Sequence, residues 1–217
     1  MQKYMLLSGF GNHGTCRFSK LTYDINPDLL FMEMQKVQLA TFTTGSFDKG
    51  AGFVKQVLWY MINALIVRAS WNPNMKIKIC LLRLFGAQIG KGLVLKNNVT
   101  IKFPWKLVVG DNVWIGENVW IDNLDKVVIG SDVCISQGAL LLTGNHDYTL
   151  PTFDYRNAPI YIEDGAWIGA KSVVCPGVMV CTHAILTVGS VATKDMESYG
   201  IYQGNPAVKI RERIVKQ

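Results

Sequence analysis

The chain has 217 residues, 49% of them hydrophobic and 11% aromatic. That is enough to bury one domain core, and it excludes a disordered or low-complexity chain. A formal net charge of +6 suits an anionic surface or ligand, while the lack of a dense Lys/Arg stripe argues against nucleic acid.

The first 33 residues show no internal repeat, and their start, MQKYMLLSGFGNHG, has too short an apolar run for a secretory leader. MQK recurs at Met34. Residues 1–33 are therefore expected to be a non-native or unstructured extension, with Met34 as the true start. An intact mass of native protein beginning at Met1 would contradict this. Residues 34–86 read as an N-terminal segment built on the run FVKQVLWYMINALIVRA, residues 53–69. Lys55, Gln56 and Asn63 interrupt it, and it is short of the roughly 20 apolar residues that span a bilayer. Two readings stay open: a helix packed as a cap on the main domain, or a surface helix lying on a membrane beside Lys76, Lys78 and Arg83.

From residue 87 the chain repeats. Three blocks of 20 residues align without gaps: AQIGKGLVLKNNVTIKFPWK, LVVGDNVWIGENVWIDNLDK and VVIGSDVCISQGALLLTGNH. Each contains hexads opened by an aliphatic residue, such as Val109, Ile115 and Ile121, and the pattern resumes at Ile162. The second position is often glycine, and a small or β-branched residue follows four places after the opener. A period of six fits neither a helix nor a plain strand. It fits a short strand and a corner, with Gly, Asn and Asp at corners that need left-handed backbone angles. Three such units close a triangular coil, and coils stack at the ordinary strand spacing of about 4.8 Å.

Each block of 20 exceeds three hexads by two residues. The excess falls around FPWK, NLDK and TGNH, so one corner is decorated, and Lys106, Lys126 and His146 are expected to stack there. The period then stops over residues 144–158, within LLTGNHDYTLPTFDY, which displays one of the three histidines in the chain. The interruption reads as a loop leaving the prism to build a site. Beyond the repeat, residues 204–217 read as a basic tail.

The combination LLRLFGAQIGKG, PWKLVVGDNVWIG, ISQGALLLTGNHDY, APIYIEDGAWIGAKSVVCPGV, TVGSVATKDM and GNPAVKIRER resembles the hexapeptide-repeat O-acetyltransferases. It is nearest the colanic-acid biosynthesis group, related to maltose and galactoside acetyltransferases. The resemblance implies a left-handed parallel β-helix over residues 87–203, acetyl-CoA as acyl donor, no metal, and a homotrimer with sites between neighbouring prisms. It implies His146, which ends a TGxH segment, as general base. Imidazole suits the role because it ordinarily titrates near neutrality. Asp147, Asp125, Asp122 or a backbone carbonyl would hold the ring, and Asp122, Asn123 and Asp147 are candidate acceptor contacts. Tyr148 and Phe153 either anchor the loop or stack on a sugar. For the donor, the matching positions are Ala170, Val188, Thr193, Lys194 and Arg211. One family arginine aligns with Val208, where neighbouring Lys209 is the substitute.

His183 falls at a corner and reads as a surface residue; His13 lies in the extension. Trp114, Trp120 and Trp167 on the outer walls suggest a covered surface. The five cysteines, Cys16, Cys80, Cys134, Cys175 and Cys181, are odd in number and lack CxxC spacing. That argues against disulfides or zinc and for a reducing cytoplasm, with peripheral contact at the inner membrane face left open. The expected function is transfer of acetyl to a sugar hydroxyl or nucleotide-sugar acceptor in exopolysaccharide or lipopolysaccharide biosynthesis. The rivals are N-acetylation of a nucleotide amino sugar, O-acetylation of an antibiotic, and a catalytically silent solenoid scaffold. A γ-type carbonic anhydrase would need three clustered histidines, and His13, His146 and His183 make no convincing set.

Overall fold

The computed structural model describes residues 36–69, 71 and 74–216. The expectations for residues 1–33, for Met34 and for His13 lie outside these. Each hexad forms a strand of two or three residues and a corner. The first coil holds β1 (Gln88–Ile89), β2 (Val94–Leu95) and β3 (Thr100–Ile101). The second holds β4 (Leu107–Val109), β5 (Trp114–Ile115) and β6 (Trp120–Asp122), and the third β7 (Val127–Ile129), β8 (Cys134–Ile135) and β9 (Leu140–Leu142). The fourth holds β10 (Ile160–Ile162), β11 (Trp167–Ile168) and β12 (Val173–Val174), and the fifth β13 (Met179–Val180), β14 (Ile185–Leu186) and β15 (Val191–Ala192).

These strands stack in parallel into three faces, β1-β4-β7-β10-β13, β2-β5-β8-β11-β14 and β3-β6-β9-β12-β15. β16 (Gly200–Gly204) extends the second face. Residues read as the start of a basic tail form β17 (Ala207–Glu212), which pairs antiparallel with β16. Arg213 fastens its end by donating to the carbonyls of Gly165 and His183.

The hexad pattern sets the packing. The openers Ile101, Ile121, Leu141, Ile168 and Val180 are fully buried, as are the residues four places after an opener, from Val99 and Val113 to Ala184 and Ser190. The fourth position is the corner and sits in left-handed backbone whatever its residue: Gly92, Asn98, Asn112, Asn118, Asp132, Lys171 and His183 all have φ between 55° and 67°. Second-position glycines are required by the coil above. A Cβ on Gly110 would lie 2.7 Å from the Gly130 carbonyl carbon, and one on Gly169 2.6 Å from the Leu186 carbonyl oxygen.

The lower end is closed by helices. α1 (Phe53–Ile62) continues into a π-helical turn (Asn63–Val67), and α2 (Met75–Leu84) follows. Asn74 caps α2 by accepting from the amides of Lys76 and Ile77. Trp59 anchors α1: it is buried against Phe85, and its Nε1 donates to the Ile101 carbonyl at 3.0 Å. α2 buries Lys78 and Leu82. Of the three cations that the surface-helix reading drew on, Lys78 serves the cap: its Nζ donates to Asn97 Oδ1 at 2.8 Å, and burial pushes its pKa below the ordinary lysine value. Arg83 is likewise occupied by the carbonyls of Ile89 and Gly90.

Candidate active site

Residues 143–158 leave the prism as an irregular hairpin. Its legs are joined by bonds from the amides of Ala158 to Thr143, Arg156 to Asn145 and Asp147 to Asp154, and His146 bridges Tyr155. Register fixes where it departs. Asp122 still pairs with Leu142, but Val127 pairs with Ile160, so His146 lies in the excursion. The expected stacking of Lys106, Lys126 and His146 therefore stops at Lys126.

His146 is held on several sides. Its Nδ1 donates to the Phe153 carbonyl at 2.7 Å, which leaves Nε2 as the ring's acceptor nitrogen. The Phe153 ring stacks on the imidazole at 4.4 Å and 9°. Phe153 itself has φ 53°, an uncommon backbone for an aromatic residue. Tyr155 and Phe42 pack beside the imidazole with centroids at 5.0 and 5.9 Å. Phe153 thus anchors the loop, whereas Tyr148 stands in solvent.

Phe42 belongs to an arm that no repeat announces. The Gln38 amide donates to the Pro151 carbonyl at 2.8 Å, and Thr43 bonds Asp154 through its amide and hydroxyl. Lys106 ties the arm down, with Nζ 2.6 Å from the carbonyls of both Asp48 and Leu124. Burial lowers the Lys106 pKa, against the opposing pull of Asp125 and Asp48.

The three carboxylates expected near His146 divide. Asp147 does not reach the ring: its Oδ1 accepts from the Thr149 amide at 3.0 Å and from its hydroxyl, which holds the Asp147 pKa below the usual carboxylate value. Asp125 receives the Lys126 amide. Asp122 is buried beneath the loop, with Oδ2 3.7 Å from where a Cβ on Gly144 would stand. Lys102 Nζ lies 2.9 Å from Asp122 Oδ1 as an ion pair. Asn123, expected as an acceptor contact, is fully buried. Its side chain accepts the Phe103 amide at 2.9 Å and donates to the Phe103 carbonyl at 2.6 Å, so it replaces a strand rung.

Asp122 lines a cleft of about 680 Å³ between α1, the third face and the loop base. Trp120, Phe103, Tyr60 and Tyr155 form aromatic walls, and Lys102 and Asn63 line it as well. Asn63 Oδ1 is buried without a hydrogen-bond partner, Asp122 Oδ1 has the Lys102 ammonium alone, and both residues line this cleft. Asn63 was visible in the sequence as a polar break in an apolar run; its role was not.

The expected donor contacts fall in three places. Ala170 and Val188 stack on successive coils at the corner between the second and third faces, where the Gly189 amide donates to the Ala170 carbonyl at 2.9 Å. Thr193 and Lys194 occupy the opposite corner, after β15, and both are exposed. Arg211 lies on β17 opposite Ile201. Lys209 is not a free cation: it is 2.7 Å from Glu197 and 2.6 Å from Glu212, and these carboxylates raise its pKa.

A prism with one corner opened to hold an imidazole, with Tyr155 both packed on that ring and lining the cleft, is the architecture of a solenoid acyltransferase. The chain is 35% identical over 178 residues to the "Putative colanic acid biosynthesis acetyltransferase WcaF" of Escherichia coli (strain K12), a match covering 81% of this chain and 97% of that one. It belongs to the hexapeptide-repeat acetyltransferase family that this relative represents. No family model matches the chain. Its fold is shared by the hexapeptide-repeat acetyltransferase VCA0836 of Vibrio cholerae O1 biovar eltor, solved with acetyl coenzyme A. The TM-score is 0.71 at 19% identity, over 81% of this chain and 97% of that one. A maltose O-acetyltransferase from Clostridium difficile 630 has a TM-score of 0.64 at 21% identity, over 75% and 88% of the two chains.

Proposed function

We propose that the protein moves acetyl from acetyl-CoA to a sugar hydroxyl in exopolysaccharide or lipopolysaccharide assembly, with His146 as general base. The observation that carries this is the bond from His146 Nδ1 to the Phe153 carbonyl. It fixes the tautomer in which Nε2 has the lone pair that proton abstraction needs. Asn63 supplies an acceptor contact, because a sugar hydroxyl donates to an oxygen that otherwise stays unsatisfied; the Asp122 carboxylate, paired with Lys102, is a second, and the aromatic walls suit the apolar face of a sugar ring. The hydroxyl oxygen attacks the thioester carbonyl as its proton passes to Nε2. The tetrahedral oxyanion collapses, the C–S bond breaks, and the imidazolium returns the proton to the CoA sulfur.

The donor would lie along the coil corners. Small Ala170 and the chain at Val188 would admit the pantetheine arm, with Thr193 beside it and Lys194 and Arg211 on the phosphates. These residues sit on separate corners of one chain, which supports a homotrimer in which a neighbouring prism completes each site.

Thiol release from acetyl-CoA over a panel of sugars, nucleotide sugars and nucleotide amino sugars tests the reading, with His146→Ala alongside. Acceptor-dependent release that falls roughly 10²–10⁴-fold in the variant is expected. Equal rates in the two proteins would remove His146 from the mechanism. CoA binding with no release on any acceptor would favour the silent scaffold.

A further inference from the structure

The helical cap is apolar on both sides. In α1 the polar Lys55 and Gln56 are half-buried, and Gln56 donates to the Ala51 carbonyl at 2.7 Å. Trp59, Val67 and Leu82 face the prism, yet apolar side chains face outward as well: Leu65 is 61% exposed, and Leu58, Trp71 and Leu84 continue the surface. A helix that served only as a cap would be polar on its outer side. Charge is equally one-sided. Between Asp48 and Asp111 the sequence has ten Lys and Arg residues and no carboxylate. Lys78 and Arg83 serve the cap internally, but Arg68, Lys76 and Lys96 are exposed. Contacts between the helices and the first coil gather them at this end, since the Asn98 amide donates to the Arg68 carbonyl and the Leu95 amide to the side-chain sulfur of Met75. A groove of about 380 Å³ lined by Leu65, Arg68, Trp71 and Asn98 opens there.

We propose that this end of the solenoid is a docking face for an anionic lipid bilayer. Leu58, Leu65 and Leu84 enter the headgroup boundary, and Arg68, Lys76 and Lys96 meet lipid phosphates. Exposed apolar groups beside cations that form no ion pair among the described residues are what such a surface recruits. A second copy of the same face would set cations against cations, and nucleic acid would leave the leucines unburied. No helix among the described residues is long and apolar enough to cross a membrane, so the contact is peripheral and reversible.

Flotation of the full-length protein with vesicles tests this, using phosphatidylcholine alone or mixed with phosphatidylglycerol. Binding is expected only with the anionic lipid, and high salt should release it. Lys76→Ala or Lys96→Ala should each weaken partitioning about fivefold. The pair Leu65→Ser and Leu84→Ser should weaken it about tenfold or more, with the thermal midpoint and lipid-free thiol release unchanged because these side chains are exposed and outside the cleft. Three results would each overturn the proposal. They are no flotation with anionic vesicles, binding indifferent to salt and to all four substitutions, and a fall in lipid-free hydrodynamic mass on substituting the leucines, which would make the face an interface between copies.

Discussion

A carbonyl and a carboxylate orient an imidazole with different consequences. Both fix the tautomer, but only the carboxylate adds a charge against the imidazolium that forms during attack. His146 is held by the Phe153 carbonyl, and Asp147 spends its carboxylate on Thr149. Asp147→Ala should therefore cost less than about tenfold in kcat, not the ~10⁴ that follows loss of a triad carboxylate. Its pH signature follows from the lowered pKa. The stabilisation is complete above the unfolded aspartate value of about 3.9 and is lost only as pH falls through the lower folded value. A kcat profile measured from neutral pH down to about 5 should thus have the same shape in both proteins. Asn123 is the opposite case, a polar residue whose whole use is structural. Asn123→Leu leaves the amide and carbonyl of Phe103 buried without partners, at about 2 kcal/mol. A fall of roughly 4–8 °C in Tm is expected by calorimetry. Sequence alone placed Asn123 beside Asp122 as a sugar contact because adjacent residues look equivalent on paper. Alternation along a strand and its corner turns one toward the cleft and the other into the wall.

Elements that repeat were legible and elements that do not were not. The hexads named the buried openers and the corner positions because each depends only on local spacing, and they put the departure at residue 144, one residue after the hairpin begins. The arm that brings Phe42 to His146 depends on a contact about a hundred residues away and has no period. Nor does a short basic run reveal that it will pair with β16, since strand addition is decided by the open edge the solenoid offers. The helical cap was recognised by its apolar run, but the side it presents was not. Lys78 shows the cost. A lysine 1% exposed with one amide partner carries a desolvation penalty that its lowered pKa records. That penalty is full below the folded pKa and disappears as pH rises through the unfolded value of about 10.4. Lys78→Met should raise Tm by a few degrees at neutral pH, from about 1 kcal/mol, and the gain should shrink toward pH 10. A gain that is absent at neutral pH, or that grows with pH, would show that the Asn97 bond outweighs the burial cost.

At the scale of the whole molecule, a solenoid offers surfaces in proportion to its length, and the described chain uses them unequally. The helical end is cationic and apolar. The second face stacks Trp114, Cys134 and Trp167 in register, with Trp114 61% exposed and Trp167 45%. Trp167 is fixed by a bond from Nε1 to Ser136 Oγ at 2.9 Å, so the ladder is rigid and suited to burial against another chain. This face adjoins both the Ala170–Val188 corner and β17, which carries Arg211. A neighbour packed here would therefore lie beside those donor contacts. Light scattering should give a mass three times the 24.2 kDa of the chain. Trp114→Glu with Trp167→Glu should give single chains with an unchanged far-ultraviolet spectrum and no thiol release. Because exposed positions are changed, loss of assembly rather than of fold is the expected cause of inactivity. Single chains that retain full activity would show that one prism builds the entire site. A variant still trimeric would place the interface on another face, with the tryptophans then free for a different partner.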